Sequence, residues 1–341
     1  MKRKIILILN YKGHFSSKWS ASPYYSGMDI LRLREEFEKK NIQIEYLHYP
    51  EVNLRDRNFK DEIILYTSSE DHNLLYKSYI EDIILALEIQ GARLIPPFFL
   101  LKAHHNKVFI ELLRDLSPMD HIKNIRSNNY GTLEDFENKF SELQYPKVFK
   151  GASGAVSSSV RLVKSKDEAI KTIKKLCRSR ALYLEVWDFG RFIIHKGYKR
   201  DSKYRRKFIL QNFILNMDGD WKIIVFGKKY YVLERKVRKN DFRASGSGLI
   251  EYNRNLPLGL LDYAKSIFDY FDIPFMAMDI GFDGCVFYLI EYQTLNFGTH
   301  TVDTAPFYFL NNGNKWEIIE EVSIVEREFA ISVTAYLEGN G

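Results

Sequence analysis

Between Tyr145 and Val163 the chain reads YPKVFKGASGAVSSSVRLV. Apolar Val148 and Phe149 alternate with charged neighbours as in a short strand, and Lys150 stands at its end. Gly151 to Ser159 is a run of small residues, after which Val160, Leu162 and Val163 resume a strand pattern. This is two strands joined by a small-residue loop, and it excludes two familiar phosphate sites. A P-loop needs its lysine after the glycines and a helix next, whereas here the lysine comes first and a strand follows. The dinucleotide pattern needs a third glycine beyond Gly151 and Gly154. The backbone N–H groups of such a loop can still close over an anion, because small side chains let the main chain approach, and Lys150 adds a point charge. The plainer reading is a Ser-rich hairpin loop in solvent.

The 341 residues are 45% apolar and 15% aromatic, enough for a large core in two or three domains. Cys177 and Cys285 are the only cysteines and have no metal-ligand spacing. A disulfide framework or zinc site is therefore not expected, and a cytoplasmic, reducing setting is. The opening MKRKIILILN is too short in its apolar run for a signal peptide, and no stretch approaches the ~18 apolar residues of a membrane helix. The net charge of +6 is uneven. Arg191 to Phe208 holds eight Lys or Arg against one Asp, and Lys222 to Arg243 holds eight against two acids. A polyanionic ligand or nucleic acid fits such spans, with Tyr198 and Tyr204 interleaved in the first.

The first hundred residues alternate strands and helices: strands over 4–9, 42–49, 62–67 and 92–95, helices over 28–40 and 73–90, the latter stopped by Gly91. A parallel α/β sheet follows from this. The loop 10–26, with Tyr11, His14, Trp19, Tyr24 and Tyr25, is long enough to be functional or simply to pack on the surface. Further on, helices are expected over 104–116 and 167–178, a strand over 122–125, and a helix capped by Thr132. From Phe208 the texture turns to strands (208–215, 221–226, 230–237, 275–281, 286–292) with helices over 258–271 and 314–337, an α+β arrangement.

Asp279 and Glu291 sit in the apolar strands of the last hairpin, with Gln293 on the same strand face as Glu291; carboxylates in such a place suit Mg²⁺. A two-residue turn at Asp283-Gly284 would put the two acids on opposite faces. A shared metal therefore requires a longer turn or a bulge, and the acids would remain offset along the ladder.

Taken in order, Lys107, Lys150 with its loop, LQNFI at Leu210 to Ile214, Arg235 and Arg243, then Asp279, Glu291 and Gln293 resemble the ATP-grasp superfamily of carboxylate–amine ligases. That family includes D-alanine–D-alanine ligases and glutathione synthetases. The resemblance spans roughly His104 to Thr301, and the preceding α/β domain is compatible with it. It implies an α/β N-terminal domain (1–103), a small lobe with the phosphate loop (104–208) and a large lobe with the metal site (209–341). It further implies that Lys107, Lys150, Gly151, Ser153 and Gly154 hold the ATP phosphates, and that the backbone of Gln211, Asn212, Phe213 and Ile214 reads adenine. Asp279, Glu291 and Gln293 would hold Mg²⁺, while Arg243, Arg235 and Lys222 would neutralise charge on an acylphosphate formed from a small-molecule carboxylate before an amine displaces phosphate. The chain departs from the family at Gln293, where Asn is usual, at Asn212, where an acid is common, and at Lys222, where Arg is common. Competing readings are an ATP-grasp kinase and a basic nucleic-acid binder. The ligase reading sets nucleic acid and membrane aside and allows a homodimer. His104 and His105 fit a helix flank, and His300 a place near substrate.

Overall fold

The computed structural model describes residues 3–139, 143–154, 159–179, 181–238, 243–313 and 315–339. The chain forms two compact units, one of Met1–His104 with Met217–Gly341, the other of His105–Asn216. The sequence boundary at 209 falls inside a strand of the second unit.

The first unit begins with β1 (Arg3–Leu9), α1 (Ile30–Glu38), β2 (Ile42–His48), β3 (Ile63–Tyr66), α2 (Leu75–Gln90), β4 (Arg93–Ile95) and α3 (Phe98–Ala103). The strands form a parallel sheet ordered β2-β1-β3-β4. A strand covered on both faces must be apolar throughout, which is why Ile5 to Ile8 are fully buried. Ile5, Leu7 and Leu9 pack with Leu33 and Phe37 of α1, while Ile6 and Ile8 pack with Ile80, Ile84 and Leu87 of α2. Asp29 caps α1 through the N–H groups of Leu31 and Arg32, and Gly91 ends α2 in the left-handed conformation at φ 94°.

The second unit comprises α4 (Lys107–Leu116), β5 (Ser127–Tyr130), α5 (Leu133–Lys139), β6 (Lys147–Gly151), β7 (Val160–Val163), α6 (Lys166–Leu176), α7 (Leu182–Ile194) and β8 (Phe208–Asn212). Its antiparallel sheet runs β5-β8-β6-β7 over a core of Phe136, Phe149, Ile173, Phe208 and Leu210. Two expectations are corrected here. Residues 120–123 form a 3₁₀ turn and the strand starts at Ser127, because Ile122 and Ile125 are buried anchors at turn spacing rather than an alternating run. The helix expected from His104 starts at Lys107, with α3 before it. Helix α7 adds an element that the sequence patterning did not mark. The small-residue loop lies only partly within the described residues, which omit 155–158.

The chain returns to the first unit with β9 (Gly219–Phe226), β10 (Lys229–Lys236), β11 (Ile250–Glu251), α8 (Leu260–Phe271), β12 (Phe275–Phe282), β13 (Phe287–Gln293), α9 (His300–Asp303), β14 (Tyr308–Asn311), β15 (Trp316–Ile319) and α10 (Val325–Leu337). The antiparallel sheet runs β13-β12-β9-β10-β14-β15, and β11 also pairs with β10. The single closing helix expected over 314–337 is instead a strand and a helix. Trp316 to Ile319 pairs with β14, and α10 buries Phe329, Ala330 and Val333 in the core that also holds Ile5 and Leu7.

Candidate active site

In the first unit the acids of the last hairpin meet. Phe282 pairs with Phe287 around a four-residue turn in which Asp283 Oδ1 accepts from the N–H groups of Cys285 and Val286. Ile280 pairs with Leu289 but Asp279 pairs with Glu291, so Ile290 is a bulged residue. The turn is longer than two residues and a bulge is present, as shared metal binding requires. The expected offset is absent, because Asp279 and Glu291 are direct cross-strand neighbours, with Cβ atoms about 5 Å apart in such a pair. Gln293, opposite Ala277, shares their face.

The same face continues through β9 and β10. Lys222 pairs with Asp279 on one side and Leu233 on the other, and Asp220 pairs with Arg235. Arg235 is buried, with Nε 2.5 Å from Asp220 Oδ1 and Nη2 2.9 Å from Asp279 Oδ2. Burial opposes the guanidinium's charge, yet Asp279 and Asp220 together hold it protonated. Burial pushes the Asp220 carboxyl up to about 6, with Asp279 adding to the rise and Arg235 opposing it. A Cβ on Gly219 would collide with the Arg235 carbonyl, so only glycine lets β9 approach here.

Over this face lies a cavity of about 350 Å³ lined by Ser16 to Trp19, Tyr25, Lys222, Leu233, Arg235, His300 and Thr301. The 10–26 loop is therefore more than surface packing. It is tied to the segment after β13: Ser17 Oγ donates to Phe297 O at 2.5 Å, and Trp19 N donates to Thr299 Oγ1 at 2.8 Å. The Trp19 ring meets His300 edge-on at 4.7 Å. Lys18 reaches the buried Glu326 at 2.7 Å. Glu326 and Asp220 escaped sequence reading; for Asp220, the spacing Asp-x-Lys opposite Arg235 across one hairpin was the available signal.

In the second unit Lys107 opens α4, and its N–H donates to Ala152 O at 2.9 Å, two residues past Lys150. Both lysines are buried. Lys150 pairs with Val160 in the β6–β7 ladder, and Gly151 N donates to Ser159 O at 3.2 Å; Ser153 and Gly154 follow in the loop. Gln211 is buried and donates to Glu111 at 3.2 Å. Asn212 accepts from Lys147 Nζ at 2.6 Å; Phe213 and Ile214 lie past the last ladder pair. Lys147, not singled out in the sequence, is pushed below the usual lysine range by burial. Arg243 is half-buried; residues 239–242 before it lie outside the described residues.

No protein-family model and no curated protein matches this sequence. Solved structures do. D-cycloserine synthetase DcsG aligns at TM-score 0.52 and 14% identity, covering 97% of this chain and 99% of that one. The ATP-grasp fold is shown. A Chryseobacterium gregarium RiPP-associated ATP-grasp ligase, in complex with ADP and a leader and core peptide, aligns at 0.51 and 12% identity over 99% and 97% of the two chains. ATP-grasp ligase PsnB, complexed with a minimal precursor, aligns at 0.50 and 12% over 99% and 100%. At these identities the ATP-grasp likeness is one of fold, and the chemistry rests on the residues above.

Proposed function

We propose that the protein is an ATP-dependent ligase that joins a carboxylate to an amine through an acylphosphate. The observation that carries this reading is the direct opposition of Asp279 and Glu291, with Gln293 on the same face, beside a cavity lined by Lys222 and Arg235. Two carboxylates and an amide oxygen fit Mg²⁺, which prefers oxygen donors and keeps several waters. Bound there, Mg²⁺ would neutralise phosphate charge. Lys107, Lys150 and the loop from Gly151 bind the ATP phosphates, and the backbone from Gln211 to Ile214 reads adenine. Residues 1–103 supply one wall of the substrate cavity, 104–208 the phosphate loop and 209–341 the metal ligands.

The acceptor carboxylate enters the cavity, attacks the γ-phosphate and gives the acylphosphate and ADP. The amine then attacks the acyl carbon and phosphate leaves. Lys222, Arg235 and Arg243 neutralise the charge that develops on the acylphosphate, and positioning supplies most of the acceleration. One of the fold neighbours is in complex with a leader and core peptide, so peptide carboxylates belong among the candidate substrates. The test is ADP release against a panel of acids and amines. Release that requires both partners and yields an amide supports the ligase. Release with a single phosphorylated acceptor would make the protein a kinase.

A further inference from the structure

Helix α7, Leu182–Ile194, is turned inside out. Its two acids face the protein: Glu185 and Asp188 are 7% and 1% exposed. Glu185 pairs with Arg178 at 2.7 Å and Lys203 at 3.3 Å, and Asp188 with Arg200 at 3.2 Å and the Tyr198 hydroxyl at 2.6 Å. The apolar side chains point the other way. Leu182, Tyr183, Val186, Trp187, Ile193 and Ile194 are between 60% and 75% exposed. At 3.6 residues per turn they cover an arc of roughly 140°. A helix anchored by charge on one side presents its apolar arc to the outside, and large exposed apolar patches mark a docking surface.

We infer that α7 lies flat on an anionic lipid bilayer. Side chains this exposed form a ridge, not a groove, and a ridge suits a flat, deformable partner. The ridge carries Trp187 and Tyr183, residues that favour the membrane interface, and Arg191 stacks over the Trp187 ring at 3.9 Å. Exposed Lys196 and Lys199 follow directly, and the span 191–207 contains a single acid, Asp201. Such a rim attracts anionic headgroups but repels the same rim on a second copy. Among the described residues no helix is long and apolar enough to cross a membrane; α7, with 13 residues, is about 20 Å long. The contact is therefore peripheral, and it departs from the sequence expectation of no membrane partner.

The test is flotation of the full chain with vesicles of phosphatidylcholine alone, or with about a third phosphatidylserine. Binding to the anionic vesicles that weakens with salt is expected. Trp187→Glu with Ile193→Glu should reduce it at least about tenfold, and Lys196→Glu with Lys199→Glu should reduce it and flatten its salt dependence. Circular dichroism checks that each variant is folded. A blue shift of tryptophan fluorescence on adding vesicles, lost in the mild variant Trp187→Phe, reads the same contact without disturbing the helix. No flotation, or flotation unchanged in the Trp187/Ile193 variant, overturns the inference. So does a dimer or protein complex that this variant dissociates while vesicles stay unbound. Flotation needs no turnover, so its result is separate from that of the ligase assay.

Discussion

Asp279 and Glu291 face each other directly across the β12–β13 ladder because Ile290 bulges out between them and the turn. In a regular ladder without the bulge, Ile290 would pair with Asp279 and Glu291 would point to the other side of the sheet. Asp279→Asn and Glu291→Gln should each lower ATP turnover by about 10²-fold. The half-saturating Mg²⁺ concentration should rise in both. A Mg²⁺ titration of ADP release checks this, and variants with unchanged Mg²⁺ dependence would remove the metal from this pair.

Arg235 is shared by Asp220 and Asp279 in a buried cluster. Arg235→Ala would leave two acids uncompensated and should cost about 3–5 kcal/mol by denaturant unfolding. The pH dependence has a definite sign. Asp220 is raised from 3.8 to about 6, so between these values the folded state holds a proton that the unfolded state has released. Its contribution to stability is present at the acid end and is lost as pH rises towards 6. Asp220→Asn should remove this slope, read as the difference in melting temperature between the two proteins across that range.

Lys150 ends the buried strand β6, and Lys107 is tied by its N–H to the loop beyond it. Lys150→Met should weaken Mg·ATP binding by at least about tenfold, since charge-assisted contacts to phosphate are lost. Thermal shift with Mg·ATP checks this: the stabilisation seen with the parent should shrink in the variant, with the ligand-free melting temperature little changed.

Trp19 lines the cavity from the N-terminal loop, edge-on to His300. Trp19→Ala should raise KM for the carboxylate by about 10- to 100-fold, the range one apolar contact supplies. Its KM for ATP should be unchanged. An equal rise in both would mean that the loop is needed for the fold of the site rather than for the acid.

Thr132 and Asp135 cap α5 reciprocally: Asp135 N donates to Thr132 Oγ1 at 3.0 Å and Thr132 N to Asp135 Oδ2 at 2.9 Å. Thr132→Ala should lower stability by about 1 kcal/mol in urea unfolding while leaving ADP release intact.

Local chemistry determined much of this protein from its sequence. The buried β1, the glycine stop of α2, the Thr132 cap and the strands flanking the small-residue loop follow from interactions within a few residues, and the sequence carries those in full. Short apolar runs were harder, because Ile122 and Ile125 satisfy a turn as well as a strand and Trp316 to Ile319 satisfies a strand as well as a helix start. Tertiary structure alone decided the register that sets Asp279 against Glu291, the choice of Asp220 as the partner of Arg235, and the inward turn of Glu185 and Asp188. Each of these depends on which segment outside the element itself supplies the opposite charge or the next ladder bond. Arg200 and Lys203, read along the chain as part of a basic span, are in the fold counter-ions to α7.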